Sequence, residues 1–270
     1  MKAFAFAAVI IIAGIIGIWA FAFQEDGYTL VWSDEFNTAS FPDADKWNVI
    51  TGNGCPERCG FGNNELQYYT NHKDNVRIEN GNLIIEARQD TIGTNYYTSA
   101  KLTSKFKGDW QYGKITVRAK LPKGVGTWPA IWMLPSLKRK MDWPSDGEID
   151  IMEHVGYHEG WILGTIHTEK YNHLLGTQKS DSIYVADATD AFHDYTLEWD
   201  KDRLKWFVDG KLFETISRNR EAKPGWPFDE PFHLILNLAI GGNLGGKHGV
   251  SPDAFPATFI IDYVRVYQLL

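Results

Sequence analysis

The chain has 270 residues, 14 % of them aromatic with 11 Trp and 12 Tyr, and a formal net charge of −7. That length suits one all-β or α/β domain and leaves little room for a second. An acidic balance without a broad basic footprint argues against nucleic acid as a partner, whereas abundant flat aromatic faces suit both a core and a sugar-binding cleft.

Met1-Lys2 opens an uncharged apolar run from Ala3 to Phe23. One reading is a signal peptide over 1–22, with Ala20-Phe21-Ala22 as its small-x-small cleavage site. The other is a retained N-terminal membrane anchor, since about 20 apolar residues can span a bilayer. Both readings export the domain over 26–270, to be secreted, periplasmic or held at the cell surface. The two cysteines, Cys55 and Cys59, make a poor zinc site by themselves. In an oxidising compartment a small loop disulfide between them is expected, with free thiols as the alternative.

Beyond the leader the pattern is one of short strands and turns. Residues 28–32 read as a strand. Segments 76–79 and 83–88 flank Asn80-Gly81, a strong hairpin signal. Segment 113–120 alternates apolar and polar, as a half-buried antiparallel strand should. Segments 196–199 and 204–208 form another hairpin around Asp200-Lys201-Asp202-Arg203. Segment 232–240 is almost continuously apolar, fit for a central strand, and 260–267 closes the chain. No long amphipathic helix, internal repeat or linker competes with these strands. The pattern indicates a single β-sandwich domain over 26–270.

The segment Asp146-Gly147-Glu148-Ile149-Asp150-Ile151-Met152-Glu153-His154-Val155-Gly156 sets carboxylates among residues that favour burial. Burying charge is costly unless pairing or function maintains it. On a helix Glu148 and Asp150 diverge by about 200°. On a regular strand Glu148 and Asp150 share a face while Glu153 points away. A β-bulge at Ile151-Met152 returns Glu153 to the face of the other two, and bulges occur beside active sites. His154 then faces the opposite way, toward the core or behind the site. Two carboxylates on one strand face can approach the roughly 5–5.5 Å separation of retaining glycosidases, one attacking the anomeric carbon while the other protonates the leaving oxygen. Three close acids cannot all ionise easily, so one should rise toward neutrality, as a general acid requires.

The chain resembles glycoside hydrolase family 16 in its laminarinase-like (endo-β-1,3-glucanase) branch. The resemblance runs from Val31-Trp32-Ser33-Asp34-Glu35-Phe36 to Asp262-Tyr263-Val264-Arg265-Val266-Tyr267. Its most specific signature is Glu148-Ile149-Asp150-Ile151-Met152-Glu153, the form with the extra bulge residue that mixed-linkage lichenases usually lack. Asn63-Asn64-Glu65-Leu66-Gln67-Tyr68-Tyr69-Thr70, Gly126-Thr127-Trp128-Pro129-Ala130-Ile131-Trp132-Met133-Leu134 and Gly164-Thr165-Ile166-His167-Thr168 also match.

The resemblance implies an all-β jelly-roll sandwich of two curved antiparallel sheets, with an open substrate cleft on the concave sheet. It implies Glu148 as nucleophile, Glu153 as general acid/base and Asp150 as the residue that tunes the nucleophile. Trp128 and Trp132 would line the donor side, Asn64 and Arg88 would contact sugar hydroxyls, and His167 would touch the leaving-side sugar or orient Glu153. Glu35, the Gly81 carbonyl and Asp262 could hold a structural calcium; no cofactor is required for the chemistry. Leu244 follows Gly241-Gly242-Asn243, where many relatives carry Trp, so one cleft subsite differs. The implied activity is endo-acting, retaining hydrolysis of β-1,3-glucan by a monomer. The competing readings are a related hydrolase on mixed-linkage glucan, agar or carrageenan, and a β-glucan-binding lectin without catalysis. Lectins of this kind have lost the acids that this chain retains.

Overall fold

Runs of β-branched and aromatic residues separated by Gly and Asn turns build a jelly-roll sandwich in the computed structural model, which describes residues 27–37 and 40–269. The leader over 1–22, with its alternative readings, lies outside the described residues. One sheet has ten strands and the other eight. Pairing is antiparallel throughout except between Gln67–Tyr69 and Asn95–Ser99. Among the described residues no helix is long and apolar enough to cross a membrane.

Alternation decides which face each strand buries. In Gly113–Lys120 the side chains of Ile115, Val117 and Ala119 are fully buried. They meet Phe259, Ile261, Val264 and Val266 of Ala257–Leu269, the strand paired beside them. The eight-stranded sheet contributes Ile131, Met133, Ile149, Ile151, Leu234, Leu236 and Leu238 to the same core. Fully burying such side chains contributes roughly 1.5–3 kcal/mol each before chain entropy is counted. The Asn80-Gly81 turn joins Val76–Glu79 to Asn82–Ile92, and both turn residues have positive φ, 52° and 74°, as a tight hairpin needs.

Phe232–Ile240 is buried at every position and lies between Thr127–Pro135 and Lys101–Thr103. The segment Thr127–Pro135 is a central strand that its sequence disguises, because Pro129 and Pro135 are residues central strands seldom hold. Lys101–Thr103 and Asn48–Ile50 are too short, at three residues each, to show a period.

Candidate active site

The strand Glu148–Glu153 pairs with Thr127–Pro135 on one side and Trp161–His167 on the other. Asp150 stands opposite Thr165 and Glu153 opposite Leu163, so Ile151 and Met152 together face Gly164 alone. The register toward Thr127–Pro135 slips at the same point. This is a β-bulge at Ile151-Met152. Ile151 and Met152 both enter the core, and the extra residue turns Glu153 back to the outer face that Glu148 and Asp150 share. The three acids line a cavity of about 400 Å³ on that face, with Trp128, Trp132 and Asn237 on the neighbouring strands.

A residue of the other sheet braces the bulge. Trp206 donates its indole N–H to the Asp150 carbonyl at 2.8 Å, in a fully buried bond. Its ring fills the space beneath Gly164, where an added Cβ would stand 2.7 Å from Trp206 Cδ1. Gly164 is therefore required opposite the bulge, for close approach rather than for an unusual φ. His154, the residue after Glu153, is fully buried on the opposite side and accepts the Gly160 N–H at Nε2.

The electrostatics separate the three acids. Burial and the neighbouring Glu153 charge push the Glu148 carboxyl up to about 7. Opposing this are a hydrogen bond from Trp143 Nε1 at 2.8 Å and the charges of Lys101 and Arg58. Burial raises Glu153 as well, relieved by the Trp128 Nε1 bond at 3.0 Å. Asp150 is held well above the carboxylate range by burial, by both glutamates and by a hydrogen-bonding contact with Glu148 that favours its protonated form. Of the three acids Glu148 has the most groups that favour its charge, and Asp150, which has none, is the one best kept neutral as a donor to it.

Several expected contacts fall elsewhere. Asn64 donates to Asn243 Oδ1 at 2.8 Å, and the cavity is lined by its neighbours Asn63 and Glu65. Arg88 is ion-paired to Glu86 on the ten-stranded sheet and does not line the cavity. His167 stands opposite Glu148 and turns its Nε2 to Asp150 Oδ2 at 3.4 Å and Glu148 Oε1 at 3.9 Å, so its partners are these acids rather than Glu153. Burial lowers its pKa to about 4, which keeps it neutral near pH 7. The tryptophans also do more than present flat faces. Trp128 holds Glu153, and the turn at Gly245 packs against it, where an added Cβ would lie 2.7 Å from the Trp128 Cβ. Trp132 donates to Asn237 Oδ1 at 2.6 Å. Leu244 is half-buried in the turn Gly242–Gly245 and does not line the cavity.

The carboxylates expected at a calcium are engaged otherwise. Glu35 accepts two bonds from Arg265 at 2.9 and 2.8 Å, and Asp262 pairs with Arg118 at 3.1 Å. Two carboxylates each neutralised by a guanidinium do not form an oxygen cage for a hard cation, so the residues as placed do not fit calcium. Glu148, Asp150 and His167 bring one potential ligand atom each within 4.8 Å of one another. With Asp150 favouring its proton, that cluster suits proton sharing better than cation binding.

Trp143, Lys101, Arg58 and Glu65 also line the cavity and were not singled out from sequence. Trp143 packs at 5.9 Å from His167 and 5.1 Å from His173. Lys101 lies 4.7 Å from the Trp132 ring and 5.0 Å from that of Phe61. Arg58 is carried by the loop that the Cys55–Cys59 disulfide closes. A period of two does mark Glu65, because Glu65, Gln67 and Tyr69 alternate and the last two donate to Glu65 Oε2 at 2.6 and 3.4 Å. No local signal marks Lys101, which arrives from a three-residue strand.

The model of the glycosyl hydrolases family 16 matches residues 63–265. The chain belongs to glycosyl hydrolase family 16. It is 49 % identical over 249 residues to a beta-glucanase of Rhodothermus marinus, covering 89 % of this chain and 85 % of that protein. The laminarinase structure from Rhodothermus marinus superposes with a TM-score of 0.85 at 49 % identity, over 89 % of this chain and 97 % of that one. The laminarinase of Flavobacterium sp. UMI-01 superposes with a TM-score of 0.82 at 42 % identity, over 89 % and 100 % of the two chains.

Proposed function

We propose that this chain is an endo-acting β-1,3-glucanase that cleaves laminarin-type glucan with retention of anomeric configuration. The observation that carries this is the bulge that sets Glu148, Asp150 and Glu153 on one face, over a tryptophan-lined cavity. Glu148, ionised, attacks the anomeric carbon as Glu153 gives its proton to the departing glycosidic oxygen. The result is a glycosyl–Glu148 ester and a free sugar end. Glu153, now a carboxylate, takes a proton from water, whose oxygen displaces Glu148 and restores the starting configuration. Asp150 steadies the Glu148 charge by hydrogen bonding and so favours both attack and departure. Trp143 and Trp128 hold the two glutamates in position. The laminarinases and beta-glucanase that resemble this chain support the same substrate class. The apolar run 3–23 and the disulfide support an exported enzyme whose partner is an extracellular polysaccharide.

The test is product release from laminarin, lichenan, agarose and κ-carrageenan, with NMR of the first anomer formed. Rapid appearance of β-anomeric oligosaccharides from laminarin is expected. An α-anomer formed first would overturn the retaining mechanism. Cleavage confined to agarose or carrageenan would overturn the substrate, and binding without cleavage would overturn the enzyme.

A further inference from the structure

We propose that Trp161, Tyr184 and His158 form a sugar-binding platform on the leaving-group side of the cavity, holding the glucan beyond the bond being cut. This rests on the glucanase reading above. In Trp161–His167 the side chains of Ile162 and Ile166 enter the core, so Trp161, Leu163, Thr165 and His167 share the face of the catalytic acids. The next strand, Lys179–Tyr184, continues that face by setting Tyr184 opposite Trp161, Ser182 opposite Leu163 and Ser180 opposite Thr165.

Position distinguishes this platform from the known cavity. Trp128 and Trp132 stand on the strand before the acidic one, whereas Trp161 and Tyr184 stand on the two strands after it. A polymer running across the strands therefore meets the two aromatic groups on opposite sides of the acids. Glu153, which protonates the leaving oxygen, faces Leu163. Trp161 is two residues further along that strand, about 7 Å, and one strand spacing across, about 4.8 Å. That offset reaches the first sugars past the scissile bond.

The surface is ordered in advance. The Trp161 and Tyr184 rings lie 5.6 Å apart, and His158 stacks on Trp161 at 5.3 Å with 23° between planes. Tyr184 is 58 % exposed, a large apolar face left to solvent. Its ring packs over Gly160, where an added Cβ would stand 2.7 Å from Tyr184 Cε2. Aromatic faces with serine hydroxyls beside them match the apolar face and hydroxyl rim of a neutral glucosyl unit. In a retaining enzyme the same platform would hold an acceptor sugar that competes with water for the glycosyl–enzyme.

The test compares Trp161→Ala and Tyr184→Ala with the control Tyr96→Ala, an exposed aromatic on the ten-stranded sheet. The full protein is assayed on laminarin, on long β-1,3-gluco-oligosaccharides and on an aryl β-glycoside with no sugar past the scissile bond. Each platform variant is expected to raise KM for long chains by about threefold to tenfold. The aryl glycoside should be turned over as by the parent, and transfer to an added oligosaccharide acceptor should fall relative to hydrolysis. Unchanged KM and unchanged transfer in Tyr184→Ala would overturn the platform, and so would an equal loss on the aryl glycoside. Tyr184 is exposed, so this variant decides the question even if Trp161→Ala unfolds. Failure of the parent protein to cleave laminarin would instead overturn the glucanase reading, which separates the two failures.

Discussion

Replacing Trp206 with Phe removes one buried N–H that reaches across the sandwich to the Asp150 carbonyl. Losing the donor to a buried carbonyl costs about 1–3 kcal/mol, and the smaller ring adds a packing loss. The same substitution at Trp199 isolates what is specific to the bulge. Trp199 is also buried in the ten-stranded sheet and donates its N–H to a carbonyl, that of Phe228, at 3.2 Å. Urea unfolding should report similar destabilisation for the two variants. Their kinetics should differ, because the Trp206 N–H bonds the strand that spaces the acids, whereas the Trp199 N–H bonds Phe228. A displacement of about 1 Å at a reacting group can cost on the order of 10²-fold in rate. Trp206→Phe is therefore expected to lower kcat about 10-fold to 100-fold with KM little changed, while Trp199→Phe retains kcat. Equal kcat values in the two variants would refute the view that Trp206 sets the bulge geometry.

Glu153→Gln should lower hydrolysis about 10²- to 10⁴-fold and Glu148→Gln at least as much, with neither lowering the unfolding temperature at neutral pH. Both carboxyls are raised by burial, so ionised acids weaken the fold there and a neutral amide relieves it; full activity in either variant, measured by reducing-end release, would overturn that residue's role. Lys101→Met removes a cation that favours ionised Glu148, so the Glu148 carboxyl rises further. The acidic limb of the kcat/KM–pH profile should then move to higher pH by roughly half a unit to one unit, and a limb that stays in place or moves down would refute this. Glu214 is buried and raised to about 8, with Oε2 unpartnered. A folded pKa raised above the unfolded value means that its stabilising effect is full below about 4.5 and is lost as pH rises through 8. Glu214→Gln should accordingly stabilise the fold near pH 7–8 by about 1–3 kcal/mol, and thermal melts showing no gain there relative to pH 4.5 would contradict it.

The odd spacing of Glu148, Asp150 and Glu153 within an apolar run already demanded a bulge, because strand geometry sends residues an odd number apart to opposite faces. Alternation likewise disclosed the strand over 113–120, and an almost continuous apolar run the strand over 232–240, whose bounds the structure reproduces as Gly113–Lys120 and Phe232–Ile240. These properties are local, set by residues a few positions apart. The surroundings of the acids are not. Trp206 comes from 56 residues beyond Asp150, and Asn237 from 105 beyond Trp132. Lys101 reaches the cavity on a strand too short to show a period, and Arg88, though on a well-marked strand, is claimed by Glu86 on the other sheet. Sequence by itself determined the cluster of three acids, their shared face and the class of fold, since chirality and period bind those tightly. Only the tertiary structure decided which charges neighbour Glu148, through the order of strands within its own sheet, and what braces the bulge, through the other sheet packed against it, because electrostatic and steric partners are chosen by distance in space.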